Sequence, residues 1–146
     1  MKLLKLFVTA ASMLLVALAI NVPMHELGHY VVAESYGNSP EFHFFENELS
    51  VDENGVQTSA VVLAYVSYFA NSPELSTQDA VIAFAGPLMN LLLGILGLGI
   101  FLIVRKKNIY AEVAAFVFMI MCFIAFLSNL IPFGVSDGAV IVSALA

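Results

Sequence analysis

The 146-residue chain is 61% hydrophobic and 11% charged, with a mean hydropathy of +0.96 and a formal net charge of −6. Soluble domains carry about 25% charged residues, so the composition excludes an ordinary soluble domain and reads as one compact integral membrane domain. The lone cysteine, Cys122, excludes an intrachain disulfide, and the lack of a basic, aromatic stretch gives no sign of a nucleic-acid partner.

The first element spans residues 3–34. Lys2 and Lys5 precede an apolar run over 6–24 that is long enough to cross the hydrocarbon core. A charged start, an apolar core and Ala17-Leu18-Ala19 also fit a cleaved signal peptide. The continuation argues against cleavage, because the helical pattern runs on into Pro23-Met24-His25-Glu26-Leu27-Gly28-His29. Pro23 is a potential kink that frees backbone carbonyls. Gly28 permits close approach of another helix.

Gly37-Asn38-Ser39-Pro40 breaks the pattern. Residues 41–58 then alternate and carry acids, with Asn54-Gly55 as a turn signal, and read as a β-hairpin at the membrane surface. Residues 60–70 are apolar but too short to span. They read as an interfacial or re-entrant segment, with Tyr65 and Tyr68 at headgroup level. Asn71-Ser72-Pro73-Glu74 starts a new element, and Ser76-Thr77-Gln78-Asp79 offers N-caps for a spanning helix over about 78–104. That helix holds Gly86-Pro87-Leu88-Met89-Asn90 and a packing face at Gly94, Gly97 and Gly99. Arg105-Lys106-Lys107 closes it, and Glu112 reads as an interfacial charge. A third span runs from about 110 to 133, broken near its end by Asn129-Leu130-Ile131-Pro132. Gly134-Val135-Ser136-Asp137-Gly138 and a short apolar tail follow. Cys122, inside the third span, reads as a small hydrophobe.

The chemistry begins at His25-Glu26-x-x-His29. Histidines four apart share one helix face and can bind one zinc ion, and the glutamate beside the first is placed to handle the proton of a zinc-activated water. Ionisable groups at membrane depth are costly and read as functional. Catalytic zinc takes three protein ligands. Asp137, in the broken end of a spanning segment, is the acid best placed to be the third, although Asp-Gly is also a common turn pair. His43, on a polar-aromatic strand, reads as structural. Asn90 is a buried amide that needs partners, and Asn90, Asn129 and Ser136 are polar enough to line a water path to the site.

The three motifs, His25-Glu26-Leu27-Gly28-His29, Gly86-Pro87-Leu88-Met89-Asn90 and Asn129-Leu130-Ile131-Pro132 with Asp137-Gly138, resemble in order the signatures of the site-2 protease family of intramembrane zinc metalloproteases (peptidase family M50). The resemblance implies an all-α membrane fold. Three transmembrane helices form a metalloprotease core, with a small membrane-surface β-hairpin between helices 1 and 2, as a single domain over 1–146. It implies that His25, His29 and Asp137 bind one catalytic Zn2+, that Glu26 is the catalytic acid/base, and that Asn90 and Asn129 lie near the site in substrate-positioning or structural roles. The expected activity is endopeptidase cleavage of a transmembrane protein substrate within the lipid bilayer, with an exposed strand edge in 41–58 pairing with the unwound substrate. The alternative is a protease-like membrane protein that binds or chaperones partners without cutting. Val135 stands where the family commonly has a second proline, and Ser136 where it has leucine, which bears on the shape of the loop before Asp137. The cations put the N-terminus and the second loop on the cytoplasmic side, the reverse of the family's usual orientation.

Overall fold

The computed structural model describes residues 1–51, 57–69, 76–134 and 136–146. The Asn54-Gly55 turn, the Asn71-Ser72-Pro73-Glu74 start and Val135 lie outside the described residues. The elements are α1 (Lys2–Ser35), β1 (Glu41–Val51), β2 (Gln57–Ser67), α2 (Thr77–Val104), α3 (Ile109–Leu130) and α4 (Asp137–Leu145). The chain is mostly helical, and α1, α2 and α3 are each long and apolar enough to cross a membrane.

The 34 residues of α1 give a length of about 51 Å at 1.5 Å per residue. This exceeds a hydrocarbon core of about 30 Å, so α1 continues beyond the apolar layer at one end or both. A capping box starts α2. The Ser76 hydroxyl accepts from the Asp79 N–H, while the Asp79 carboxylate accepts from the Ser76 N–H at 2.8 Å and hydroxyl at 2.7 Å. The Asn108 side chain caps α3 by accepting from the Tyr110 and Ala111 N–H groups. That helix ends at Leu130, short of the expected 133, because the residue before a proline is driven out of helical geometry and Pro132 has no N–H to donate.

The two strands pair antiparallel in one unshifted register, from Glu41↔Ser67 to Val51↔Gln57. The interfacial segment expected from residue 60 onward is therefore largely strand, with β2 running to Ser67. Its β-branched, aromatic composition suits a pleated surface, and an apolar run of this length does not by itself distinguish the two conformations. Tyr30 of α1 stacks on Phe42 of β1 at 4.8 Å, and the Phe69 N–H donates to the Asn38 carbonyl. These contacts hold the hairpin against the end of α1.

The three long helices pack around Ala17, Phe118 and Cys122, flanked by Met13, Leu93 and Met121. On α2, Gly94 abuts the Phe123 ring and Gly97 abuts Met119, both of α3, so closely that a Cβ would stand only 3.0 Å from its neighbour; a Cβ at Gly99 meets nothing within 4 Å among the described residues. Leu15, Leu92, Leu96, Ile103 and Leu127 point outward from the bundle, as lipid-facing side chains do. The residues expected to form a short tail make α4 instead, packed on α2 and the end of α3. All five cations, Lys2, Lys5, Arg105, Lys106 and Lys107, sit where α1 begins and α2 meets α3. The hairpin and both histidines of α1 lie toward the opposite end. Glu112 stays at the cationic end and accepts from the Lys106 N–H, as an interfacial charge would.

Candidate metal centre

Asn21, His25 and His29 recur every four residues and form one polar ladder on the inner face of α1. Across from them, α4 begins at Asp137. His25 Nε2 lies 3.0 Å from one Asp137 carboxylate oxygen and His29 Nε2 lies 3.3 Å from the other. The two Nε2 atoms are 3.1 Å apart, with the rings edge-on. These three are the one cluster among the described residues with metal-ligand spacing.

The donor set fits zinc. Ligand atoms about 2.0–2.1 Å from a tetrahedral ion stand about 3.3–3.4 Å from one another, close to the separations here. The protonation pattern agrees. His29 Nδ1 is 2.7 Å from the Ile82 carbonyl, which can only accept. The proton of a neutral His29 is thus on Nδ1, and its Nε2 lone pair faces another imidazole nitrogen and a carboxylate. A cation complements such a set.

One face of α2 cradles the two imidazoles. Ile82, Gly86 and Asn90 stand four residues apart on it. Ile82 holds His29, and the Asn90 amide lies 3.0 Å from His25 Nδ1. Gly86 sits between them. A Cβ there would overlap His29 Nε2 and come within 2.6 Å of His29 Cε1 and 2.8 Å of His25 Cε1. Gly28 does the same service for the backbones, since a Cβ on it would run into the Ala85 carbonyl. Pro87 has no N–H, so the Ala83 carbonyl loses its helical donor, and Ala83 lines the cavity beside the histidines.

The loop that delivers Asp137 is held by Ser136. Its hydroxyl accepts from the Phe133 N–H at 3.1 Å and the Ala139 N–H at 3.3 Å, and donates to the Ile131 carbonyl at 2.7 Å. Ser136 is therefore the N-cap of α4. The departure from the family's leucine comes with a cap and a cross-loop bond that set Asp137 toward the histidines. Gly138 allows α4 to approach the end of α3, where a Cβ would overlap the Leu130 carbonyl.

Glu26 is buried and borders two cavities. One, of about 370 Å³, is lined by His25, His29, Tyr68, Asn129, Ser136 and Asp137 among others. The other, of about 470 Å³, runs along Leu18, Asn21 and Val22 of α1 and Ala125 and Asn129 of α3. Ala64 of β2 lines both. The backbone of Val66 lies against the Glu26 carboxylate. Among the described residues, those of the hairpin that line the cavities are in β2, from Leu63 to Val66. The Tyr68 phenol donates to Asp79 at 3.0 Å; burial, then this bond, pushes its pKa up to about 12.

Asn129 borders both cavities and donates to the Ala125 carbonyl. Asn90 is engaged with His25. Ser136 borders the cavity over His25, His29 and Asp137, and Asn90 the other. His43 lies apart, bonded to Ser67 and stacked on Tyr65 at 4.5 Å. Cys122 is fully buried and takes a weak bond from Asn21 at 3.3 Å. Sequence reasoning missed Asn21, Tyr68, the Ile82 carbonyl and the part played by Gly86. Asn21 was findable, as a polar residue one turn before His25 inside an apolar span. The Ile82 carbonyl carries no residue-type signal.

The family model described as Peptidase family M50 matches residues 13–114. The match takes in both histidines, Glu26 and Asn90, while Asp137 lies beyond it and joins them through the fold. No curated protein and no solved structure matches the chain. With the match covering most of its length, and three helices able to span a bilayer, the chain belongs to peptidase family M50, a family of membrane metalloproteases.

Proposed function

We propose that this protein is a zinc-dependent endopeptidase that cleaves membrane-spanning protein substrates within the bilayer. The observation that carries the reading is the convergence of His25 Nε2, His29 Nε2 and the Asp137 carboxylate beside buried Glu26. His25, His29 and Asp137 hold the ion. When bound, zinc supplies Lewis-acid polarisation, which brings the acidity of a water near neutral pH and makes a peptide carbonyl electrophilic. Glu26 accepts the proton of the attacking water and returns it to the leaving amine nitrogen.

A helical substrate hides its carbonyls in backbone bonds and must unwind before attack. Unpaired backbone groups in an apolar layer cost several kcal/mol each, so the unwound segment needs partners. The β2 backbone around residues 64–66, at the cavity walls, offers strand pairing. Asn129, between the two cavities, offers a side-chain amide.

The test uses the protein purified in detergent, with zinc content measured and a membrane-spanning reporter supplied. About one zinc per chain and cleavage within the apolar segment are expected. Glu26→Gln should keep the metal and lose cleavage. A wild type without zinc affinity, or a Glu26→Gln variant that cuts at the normal rate, sinks the proposal. Zinc without cleavage of any reporter favours the binding or chaperone role.

A further inference from the structure

We infer that Asn90 is a positioning residue for His25, its side-chain carbonyl accepting the His25 Nδ1–H and fixing the tautomer that leaves Nε2 free for the metal. This rests on the zinc reading above. His25 Nε2 is the nitrogen facing His29 and Asp137. A neutral imidazole that ligates through Nε2 carries its proton on Nδ1, and that nitrogen needs an acceptor.

The atom it meets is on Asn90, 3.0 Å away and buried at 1% exposure. The amide turns its NH2 to the imidazole and leaves Oδ1 enclosed with no partner among the described residues. An NH2 facing an N–H is two donors in contact. A half-turn of the amide exchanges its ends and puts the oxygen on Nδ1–H; the two orientations have nearly the same shape and are chosen by their partners. The other imidazole shows the same device with an acceptor that cannot turn, for His29 Nδ1 is held by the Ile82 carbonyl at 2.7 Å. Ile82 and Asn90 lie on one face of α2 with Gly86 midway. That face thus supplies one acceptor behind each ligand, a backbone carbonyl for His29 and a side-chain carbonyl for His25.

Zinc affinity of the folded protein in detergent tests this without reference to cleavage. Asn90→Leu keeps the volume and removes the acceptor. Loss of such a partner costs about 10- to 100-fold in metal affinity, and that loss is expected. Asn90→Asp restores an acceptor oxygen at the same place and should bind zinc within about threefold of wild type. Thermal unfolding of the metal-free forms should be no lower for Asn90→Leu, which separates lost positioning from lost packing. On the unmodified protein, 15N-histidine NMR of the zinc form should show His25 protonated at Nδ1 and metal-bound at Nε2. Ligation through Nδ1 overturns the inference whatever the variants do, as does wild-type affinity in Asn90→Leu or equal weakness of both variants. A wild type that binds no zinc overturns this inference and the enzyme reading together; the other adverse results leave the enzyme reading standing.

Discussion

Replacing Gly86 by alanine adds one methyl group to the inside of a long helix. In an exposed helix interior that change favours the helix by about 1 kcal/mol. Here the new Cβ would overlap His29 Nε2 and stand 2.6 and 2.8 Å from the nearest ring carbons of His29 and His25. Carbon atoms in ordinary contact lie about 3.5–4.0 Å apart, so the rings must retreat by roughly 1 Å. Metal–ligand distances tolerate only about 0.2 Å. The expected result is loss of His29, His25 or both from the ligand set. Zinc affinity should then fall by more than the roughly 100-fold that marks the loss of an outer partner. Overpacking adds a stability cost of about 1–3 kcal/mol, against the propensity gain. Gly99→Ala is the control, since a Cβ at Gly99 meets nothing within 4 Å; its zinc content should be normal and its thermal stability unchanged or raised. Zinc titration and thermal unfolding of both variants in the same detergent decide the matter. Stoichiometric zinc at wild-type affinity in Gly86→Ala refutes the cradle.

Other perturbations reach the site from other directions. Asp137→Ala removes the proposed ligand on α4, and a marked drop in zinc retention with loss of cleavage is expected; unchanged zinc by elemental analysis excludes Asp137 from the ligand set. Ser136→Ala deletes the cap of α4 and the bond to the Ile131 carbonyl, with an expected cost of about 0.5–2 kcal/mol by denaturant unfolding. Gly138→Ala drives a Cβ into the Leu130 carbonyl, so zinc affinity should fall although no ligand is changed. Tyr68→Phe tests the alkaline limb of stability. The folded phenol titrates at about 12 against about 10 when unfolded. Its contribution is whole below pH ~10 and is lost as pH rises toward ~12. The variant should show a flatter fall in unfolding temperature over that range, and an unchanged fall removes Tyr68 from the account.

Much of this was legible in the residues. The three spans followed from long apolar runs, and Ser76 and Pro132 marked two of their ends because capping and proline chemistry act locally. The placing of His25 and His29 on one face is equally local, being a property of one helix. Asp137 is singled out by elimination among a few acids, and the fold brings it against both histidines; such elimination needs acids to be scarce. Residues 60–67 were misread because an apolar strand and a short interfacial segment share a composition. The resemblance places Asn90 and Asn129 alike near the site, yet Asn90 lies against His25 while Asn129 bonds within its own helix. Which helix each faces is set by packing. Gly86 read as half of a motif, and its contact with two rings exists only once α1 and α2 are side by side.

The proposed metal ligands come from the first helix and the fourth, and the acceptors proposed behind the histidines from the second. No segment of the chain can build the centre alone. High-affinity zinc uptake is therefore a report on assembly: it registers that α1 and α2 have met and that α4 has turned back onto them. A chain inserted with a helix missing or α4 undocked would lack the full ligand set, and so would lack the proteolytic activity proposed above. Under the proposed function, peptide-bond cleavage would therefore require α4 docked beside α1 and α2.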